Sequence, residues 1–351
     1  MDSTSTVHSE SNGTSTAQAV PRQNGRSASS ALRWLYEPIE GPLAKVEARF
    51  ASELDSPYEA VAPVLRHGTQ LGGKRLRPAL LLLSGKAVGA IRPDHVVLGA
   101  VIEMVHTATL IHDDVLDQAD TRRHVPTVNA RWNEHTSILL GDYLFAKSFR
   151  LAATLPSTEA CRWIGEAAGL VCEGELRQIL DRNTIELDEP TYIDIIRGKT
   201  AELCRVACQL GAKASGADRD VVQSLGDYGE ALGIAFQIAD DYLDLWGEGR
   251  AVGKTLGTDI EQGKMTLPLI RLLQTCETAE RRNIVEILHG PPADRLKLIR
   301  PLLECSDAAD YTLQVARSYR DKAVASLSAV GASRSRDCLK AIANFSIRRS
   351  F

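Results

Sequence analysis

The sequence predicts an all-α fold, a single-domain bundle of many antiparallel helices around a deep central cavity. Three observations predict it. Ala and Leu are plentiful while aromatic residues make up only 5% of the chain, a composition that favours helix over sheet. From about Ala31 onward, segments of helical length alternate with short breaks containing Pro or Gly, without convincing β-alternation. Two segments are apolar on nearly every face, which belongs in the middle of a bundle.

Residues 1–30 are rich in Ser, Thr, Asn and Gln and nearly lack large apolar groups. Such a segment cannot bury enough surface to offset its ordering entropy, so a disordered tail is expected before a helical domain over 31–351. Asp2, Glu10 and only two arginines argue against an organelle transit peptide there. Breaks between helices are expected near Gly68–Gly73, Arg92–Asp94, Val125–Pro126, Leu155–Ser157, Asp188–Pro190, Gly216–Asp218, Gly247–Gly263 and Gly290–Asp294. The first central helix is placed over His95–Asp117, its apolar surface supplied by Val97, Val101, Met104, Val105, Ala108 and Ile111. The second is placed over Val222–Trp246, with Leu225, Leu232, Ala235, Phe236 and Ala239.

Hydrophobic residues make up 44% and charged residues 25% of the 351, which suits a globular protein with a sizeable core. A net charge of -4 gives no reason to expect a nucleic-acid partner. The seven cysteines form no Cys-x-x-Cys pair and read as free thiols in a reducing, cytoplasmic compartment. No apolar run reaches the roughly 18 residues of a stable membrane span, and no signal-peptide core is present.

Both central helices turn acidic at their C-terminal ends, as D-D-x-x-D: Asp113, Asp114, Asp117 and Asp240, Asp241, Asp244. Carboxylates there oppose the helix dipole, so something positive should bind them. Residues i and i+4 share a face, so Asp113 converges with Asp117 and Asp240 with Asp244. Crowded carboxylates in a partly buried place must protonate or hold cations, and all-oxygen ligation suits Mg²⁺. One such motif reads as a solvated helix end; two on strongly apolar helices read as a site. Cationic groups accompany them: Lys74 and Arg77 at the start of an apolar helix, Arg122 and Arg123 after the first motif, Lys199-Thr200 in a helical segment, and Lys254 and Lys264 in a Gly-rich stretch. Together they suit a polyanion.

The stretches GGKRLRP, HTATLIHDDVLDQADTRR, GDYLFAKSF, GKTA, FQIADDYLDLWG and GKTLGTDIEQGKMTLPLI resemble those of trans-polyprenyl diphosphate synthases, in family order over about residues 65 to 270. The resemblance implies a homodimeric, Mg²⁺-dependent enzyme that joins isopentenyl diphosphate to an allylic diphosphate such as farnesyl or geranylgeranyl diphosphate. It implies that Asp113, Asp117, Asp240, Asp241 and Asp244 serve three Mg²⁺ ions, with Asp114 in support and Lys199 among the catalytic groups. Lys74, Arg77, His106 and Arg123 would hold isopentenyl diphosphate. Arg122, Lys199, Thr200, Gln237, Lys254 and Lys264 would hold the allylic diphosphate. Arg348 and Arg349 resemble a basic tail that closes over isopentenyl diphosphate.

One departure is visible. The family usually has Gly after the second arginine, where this chain has His124. Small residues at Ala108 and Thr109 suggest a tunnel open for at least two turns below Asp113 and a product beyond C20, with Phe145 or Phe149 as a deeper floor. The alternatives are a C15–C20 synthase, a non-catalytic subunit of a heteromeric synthase, and a terpene cyclase, which would replace the second D-D-x-x-D by an Asn/Ser/Glu motif.

Overall fold

The computed structural model describes Met1 and residues 34–70, 73–247 and 256–348, with the backbone alone at 69, 70 and 348. The chain divides into Met1–Trp34 and Leu35–Phe351, and the fold described is that of the second unit. The expected disordered tail, Lys254 and Arg349 lie outside the described residues, as does the side chain of Arg348.

The helices are α1 (Glu40–Glu53), α2 (Ala62–Gln70), α3 (Leu76–Val88), α4 (Pro93–Leu116), α5 (Val128–Arg131), α6 (Glu134–Ala152), α7 (Glu159–Leu180), α8 (Glu189–Ile196), α9 (Glu202–Ala214) and α10 (Arg219–Trp246). They continue with α11 (Thr258–Glu261), α12 (Leu267–Thr275), α13 (Thr278–His289), α14 (Pro292–Cys305), α15 (Ala308–Ser326) and α16 (Arg334–Arg348). Local chemistry sets their starts. Asn133, Asp188 and Asp218 each accept the backbone N–H three residues on, at the heads of α6, α8 and α10. Pro93 and Pro190 stand in the first turns of α4 and α8, where their missing N–H costs nothing.

The two expected central helices are α4 and α10. Val101, Met104, Val105, Ala108 and Ile111 of α4 have 0% exposure. Leu225, Leu232, Ala235 and Ala239 of α10 are equally enclosed, while Val97 and Phe236 are half-buried. α4 packs on α1, α3 and α6, α10 packs on α15, and α9 lies between them against α3, α4 and α10. By length and composition α4 could cross a membrane (mean hydropathy 1.3 in its most apolar window), but 67% of that window is buried in the fold. It is a core helix.

The α3–α9 contact is backbone against backbone. A Cβ at Gly211 would stand 2.0 Å from the Leu81 carbonyl oxygen, and the buried His95 ring reaches Gly211 O at 3.0 Å from the head of α4. Gly211→Ala is therefore expected to destabilise the protein by about 3 kcal/mol, read as a shift in the denaturant midpoint.

Besides short 3₁₀ turns at Glu37–Ile39 and Leu327–Ala329, a hairpin and a π-turn depart from a purely α-helical reading. Thr121–Arg122 and Val125–Pro126 pair as an antiparallel hairpin. Between α8 and α9 the chain continues without a break as a π-helical turn over Arg197–Ala201. Such a turn re-aims side chains and is frequent at functional sites.

Candidate active site

The first aspartate motif caps α4. Asp113 is in the last turn and Asp117 is the C-cap, its N–H bonded to Asp113 O at 2.8 Å, so the two carboxylates sit one turn apart as expected. Asp114 turns inward and takes both Nε and Nη2 of Arg122 at 2.8 Å. Arg122 sits in the hairpin, so this buried pair ties the hairpin to α4.

The second motif ends α10. Asp240 is exposed and Asp241 is 4% exposed. Asp241 accepts Tyr192 O–H at 2.6 Å and Gln237 Nε2–H at 2.8 Å. Gln237 Oε1 in turn accepts the Thr200 hydroxyl at 2.9 Å, so the π-turn and α10 are locked together through three predicted site residues. Asp244 accepts the Asp259 N–H at 3.2 Å.

Lys264 joins the two motifs. Its Nζ lies 3.4 Å from Asp117 Oδ1 and 3.4 Å from Asp259 Oδ1. Burial alone would lower its pKa, but Asp259 and Asp117 outweigh that and raise it. The path Asp117–Lys264–Asp259–Asp244 therefore spans from one acidic wall to the other through a single ammonium. A second path runs along the π-turn: Lys199 Nζ is 2.5 Å from Glu175 and 2.7 Å from Gln178 on α7. Asp113 feels this neighbourhood. Desolvation pushes its carboxyl up to about 6, Glu175 and Asp117 add to the shift, and Lys199 and Arg122 oppose it. Desolvation also raises Asp241, helped by Asp259 and Asp240 and opposed by its two hydrogen bonds.

Acidic groups that resist ionisation in a wet protein are a place for added positive charge. Asp117 Oδ1 is buried, with Lys264 Nζ and Arg182 Nη2 at 3.4 and 3.5 Å and no hydrogen bond among the described residues, so it keeps lone-pair capacity of the kind a hard cation takes. Among the described residues no three His, Cys, Asp or Glu side chains close into a ready-made cage. An ion here would complete its shell from water or phosphate, which is how Mg²⁺ is ordinarily held. The all-oxygen donor set, Asp113 and Asp117 at the end of α4 and Asp240 and Asp244 at the end of α10, suits Mg²⁺ in its chemistry.

The basic set lies at the neighbouring helix start. Arg75, the N-cap of α3, is in the left-handed region at φ 52°, and its guanidinium pairs with buried Glu103 at 2.5 Å. That turn presents Arg77, whose Nη1–H donates to His106 Nε2 at 3.0 Å. Burial, then the Arg77 and Arg123 charges, hold His106 well below its usual pKa, so it is neutral. Arg123 passes directly over Gly73: a Cβ there would be 2.1 Å from its Nη1. Lys74 is exposed, 5.9 Å from the Phe345 ring centroid on α16.

The hairpin turn explains how His124 replaces Gly. Arg123 and His124 both have positive φ, 52° and 65°, the backbone of a two-residue turn that twists with its strands. The hairpin is fixed at its far end by His67 on Pro126 O at 2.8 Å and by Thr127 on Ala119 O at 2.7 Å. His124 thus keeps the glycine conformation at a steric cost of about 1 kcal/mol. His124→Gly is expected to leave activity unchanged and raise stability by up to about 1 kcal/mol, checked by thermal unfolding.

The sequence reading did not single out Glu175, Gln178, Arg182, Tyr192 or Asp259. Only Asp259 had a signal, its place in the GKTLGTDIEQGK stretch. Below the aspartates the accessible strip of α4 is His106, Thr109, Leu110 and Asp113. Ala108, Val105, Met104 and Val101 have no accessible surface, so the space beside them is filled, while Thr109 stays on the accessible strip. The proposed floor residues separate: the Phe145 ring lies 6.0 Å from His112, and Phe149 faces Gly165 of α7.

Comparison with known proteins identifies the family. The polyprenyl synthetase family profile matches residues 58–303. The octaprenyl diphosphate synthase of Escherichia coli K12 is 34% identical over 324 residues, covering 91% of this chain and 99% of the relative. The decaprenyl diphosphate synthase structure from Rhodobacter capsulatus superposes with a TM-score of 0.85 at 35% identity, covering 91% of this chain and 99% of that one. A Caulobacter crescentus polyprenyl synthase, solved with calcium and isoprenyl diphosphate, gives 0.84 at 34% identity over 93% and 99%. With an all-α fold shared over nine-tenths of its length, this chain belongs to the polyprenyl synthetase family and is an enzyme of the prenyltransferase class.

Proposed function

We propose that the enzyme extends an allylic diphosphate with isopentenyl diphosphate to an all-trans polyprenyl diphosphate longer than C20. The observation that supports the site assignment is Lys264, which contacts Asp117 of the first motif and Asp259, whose N–H donates to Asp244 of the second. Asp113, Asp117, Asp240 and Asp244 hold Mg²⁺, three ions in the full complex, while Asp114 and Asp241 brace the walls through Arg122, Tyr192 and Gln237. Bound Mg²⁺ supplies positive charge to the departing diphosphate. Lys199, Lys264, Arg122 and Thr200 add hydrogen bonds and charge on the same oxygens, and Lys254 joins them by its place in the motif. Lys74, Arg77, Arg123 and His106 hold isopentenyl diphosphate so that its double bond faces the allylic carbon, and this fixed geometry supplies much of the rate. Neutral His106 donates to phosphate through Nδ1–H while Nε2 keeps Arg77 in line. The apolar α4 and α10 surfaces keep water from the cation that forms. No side-chain base is needed if the released diphosphate takes the proton.

The product length is supported by the octaprenyl and decaprenyl names of the relatives and by the small Thr109 on the accessible strip of α4. Exposed Ile138 and Leu139 of α6 and Leu170, Leu176 and Leu180 of α7 support a homodimer, as apolar side chains on two neighbouring helices that a second copy would cover. Seven free cysteines support a cytoplasmic enzyme. The test is incubation of the isolated chain with labelled isopentenyl diphosphate, several allylic primers and Mg²⁺, with product length read out. Product beyond C20 that requires isopentenyl diphosphate supports the reading. Cyclic terpene product, or no product from the isolated chain, overturns it.

A further inference from the structure

We propose that Arg182 is a further cation of the diphosphate site, parked on Asp117 and passed to phosphate oxygens when substrate binds. This rests on the reading of the site given above. Arg182 follows the C-cap of α7, and its Nη2 lies 3.5 Å from Asp117 Oδ1. That is within ion-pair reach but too long for a good charged hydrogen bond. Among the described residues, Nε and Nη2 of Arg182 are buried and make no hydrogen bond, and Asp117 Oδ1 is likewise buried without one. Nε and Nη2 are the adjacent pair with which a guanidinium grips a carboxylate or phosphate in bidentate fashion. Buried donors left unmatched cost more than they contribute unless a partner arrives.

The backbone shows that the side chain is not stranded there by chance. Asn183, next in sequence, takes a left-handed φ of 62° and donates its N–H to Gly263 O at 2.9 Å. The buried Arg295 of α14 bonds Asn183 Oδ1 at 3.3 Å and the carbonyls of Ile260 and Glu261 at 3.4 Å. One clamp therefore fixes both the turn carrying Arg182 and the loop carrying Lys264. Two cations, Arg182 and Lys264, approach the same oxygen of Asp117. If Asp117 held Mg²⁺ through that oxygen, Arg182 and Lys264 would both be left to turn to the phosphate oxygens of a bound diphosphate.

The test is calorimetric binding of inorganic diphosphate in excess Mg²⁺ to the full chain, its Arg182→Gln variant and its Arg182→Lys variant, with steady-state constants for both substrates. Arg182→Gln is expected to weaken diphosphate binding about tenfold or more, with a matching rise in KM for the allylic diphosphate. KM for isopentenyl diphosphate should stay within about twofold, and Arg182→Lys should recover part of the loss. A role that was structural only would move both KM values together with the unfolding temperature. Diphosphate binding by Arg182→Gln equal to that of the parent overturns the proposal. So does tighter Mg²⁺ and diphosphate binding with higher turnover, which would make Arg182 a competitor for Asp117. Failure of the parent itself to bind diphosphate would instead overturn the reading of the site.

Discussion

Asp113→Ala and Asp240→Ala are each expected to lower turnover by about 10³-fold or more, because each would remove a ligand of the proposed cation site that assists departure of the diphosphate. The fold should survive both changes. Asp240 is exposed, and Asp113 works against the fold when metal is absent. Its carboxyl is pushed up to about 6 from an ordinary value near 3.8, so the folded state holds its proton more tightly than the unfolded one. Stability from this group is full when the carboxyl is protonated and falls as pH rises from about 4 through about 6. Asp113→Asn, which cannot ionise, should therefore melt at the same or higher temperature than the parent at pH 8 in chelator, while being nearly inactive in Mg²⁺. A site kept charged at a cost in stability is what a function-driven arrangement predicts. Near-parental turnover in Asp113→Ala or Asp240→Ala would refute the metal assignment.

The parts of this site that the sequence reveals are those written in short-range pattern. Both aspartate motifs sit on helices apolar all round, so their identity and place were readable from spacing alone; the observed Pro93–Leu116 and Arg219–Trp246 match the expected spans within a few residues at each end. The contacts among the charges were not readable. Lys199 with Glu175, Tyr192 with Asp241, and Arg182 with Asp117 join residues far apart in sequence, and nothing local marks which acid meets which base. The hairpin was missed because two residues per strand carry no periodicity. Its positive-φ turn is held from outside by His67 and Thr127, which is why a His can stand where Gly would be expected. The closed packing beside Ala108 was missed for a related reason. Residue size can be read from sequence, but whether neighbouring helices leave a gap beside it cannot.

That last distinction decides which substitution should change the product. Thr109 lies one turn before Asp113, about 6 Å along the axis at 1.5 Å per residue, and is half-exposed on the same strip. Ala108 lies beside it with 0% exposure. On the proposed reading a growing chain leaving the aspartates runs along the accessible strip, so Thr109→Phe is expected to block it at the first turn and shorten the proposed product beyond C20 to one of C15–C20. Turnover for the first condensation should remain, since the diphosphate groups are untouched. Ala108→Phe puts the same ring into filled space, where overpacking is expected to cost about 1–3 kcal/mol and lower expression or melting temperature before it selects a length. Product analysis and melting curves on the two variants separate these effects. Unchanged product length in a folded, active Thr109→Phe enzyme would show that the chain grows along another face. If Ala108→Phe shortened the product without loss of stability, the packing beside Ala108 must open when substrate binds.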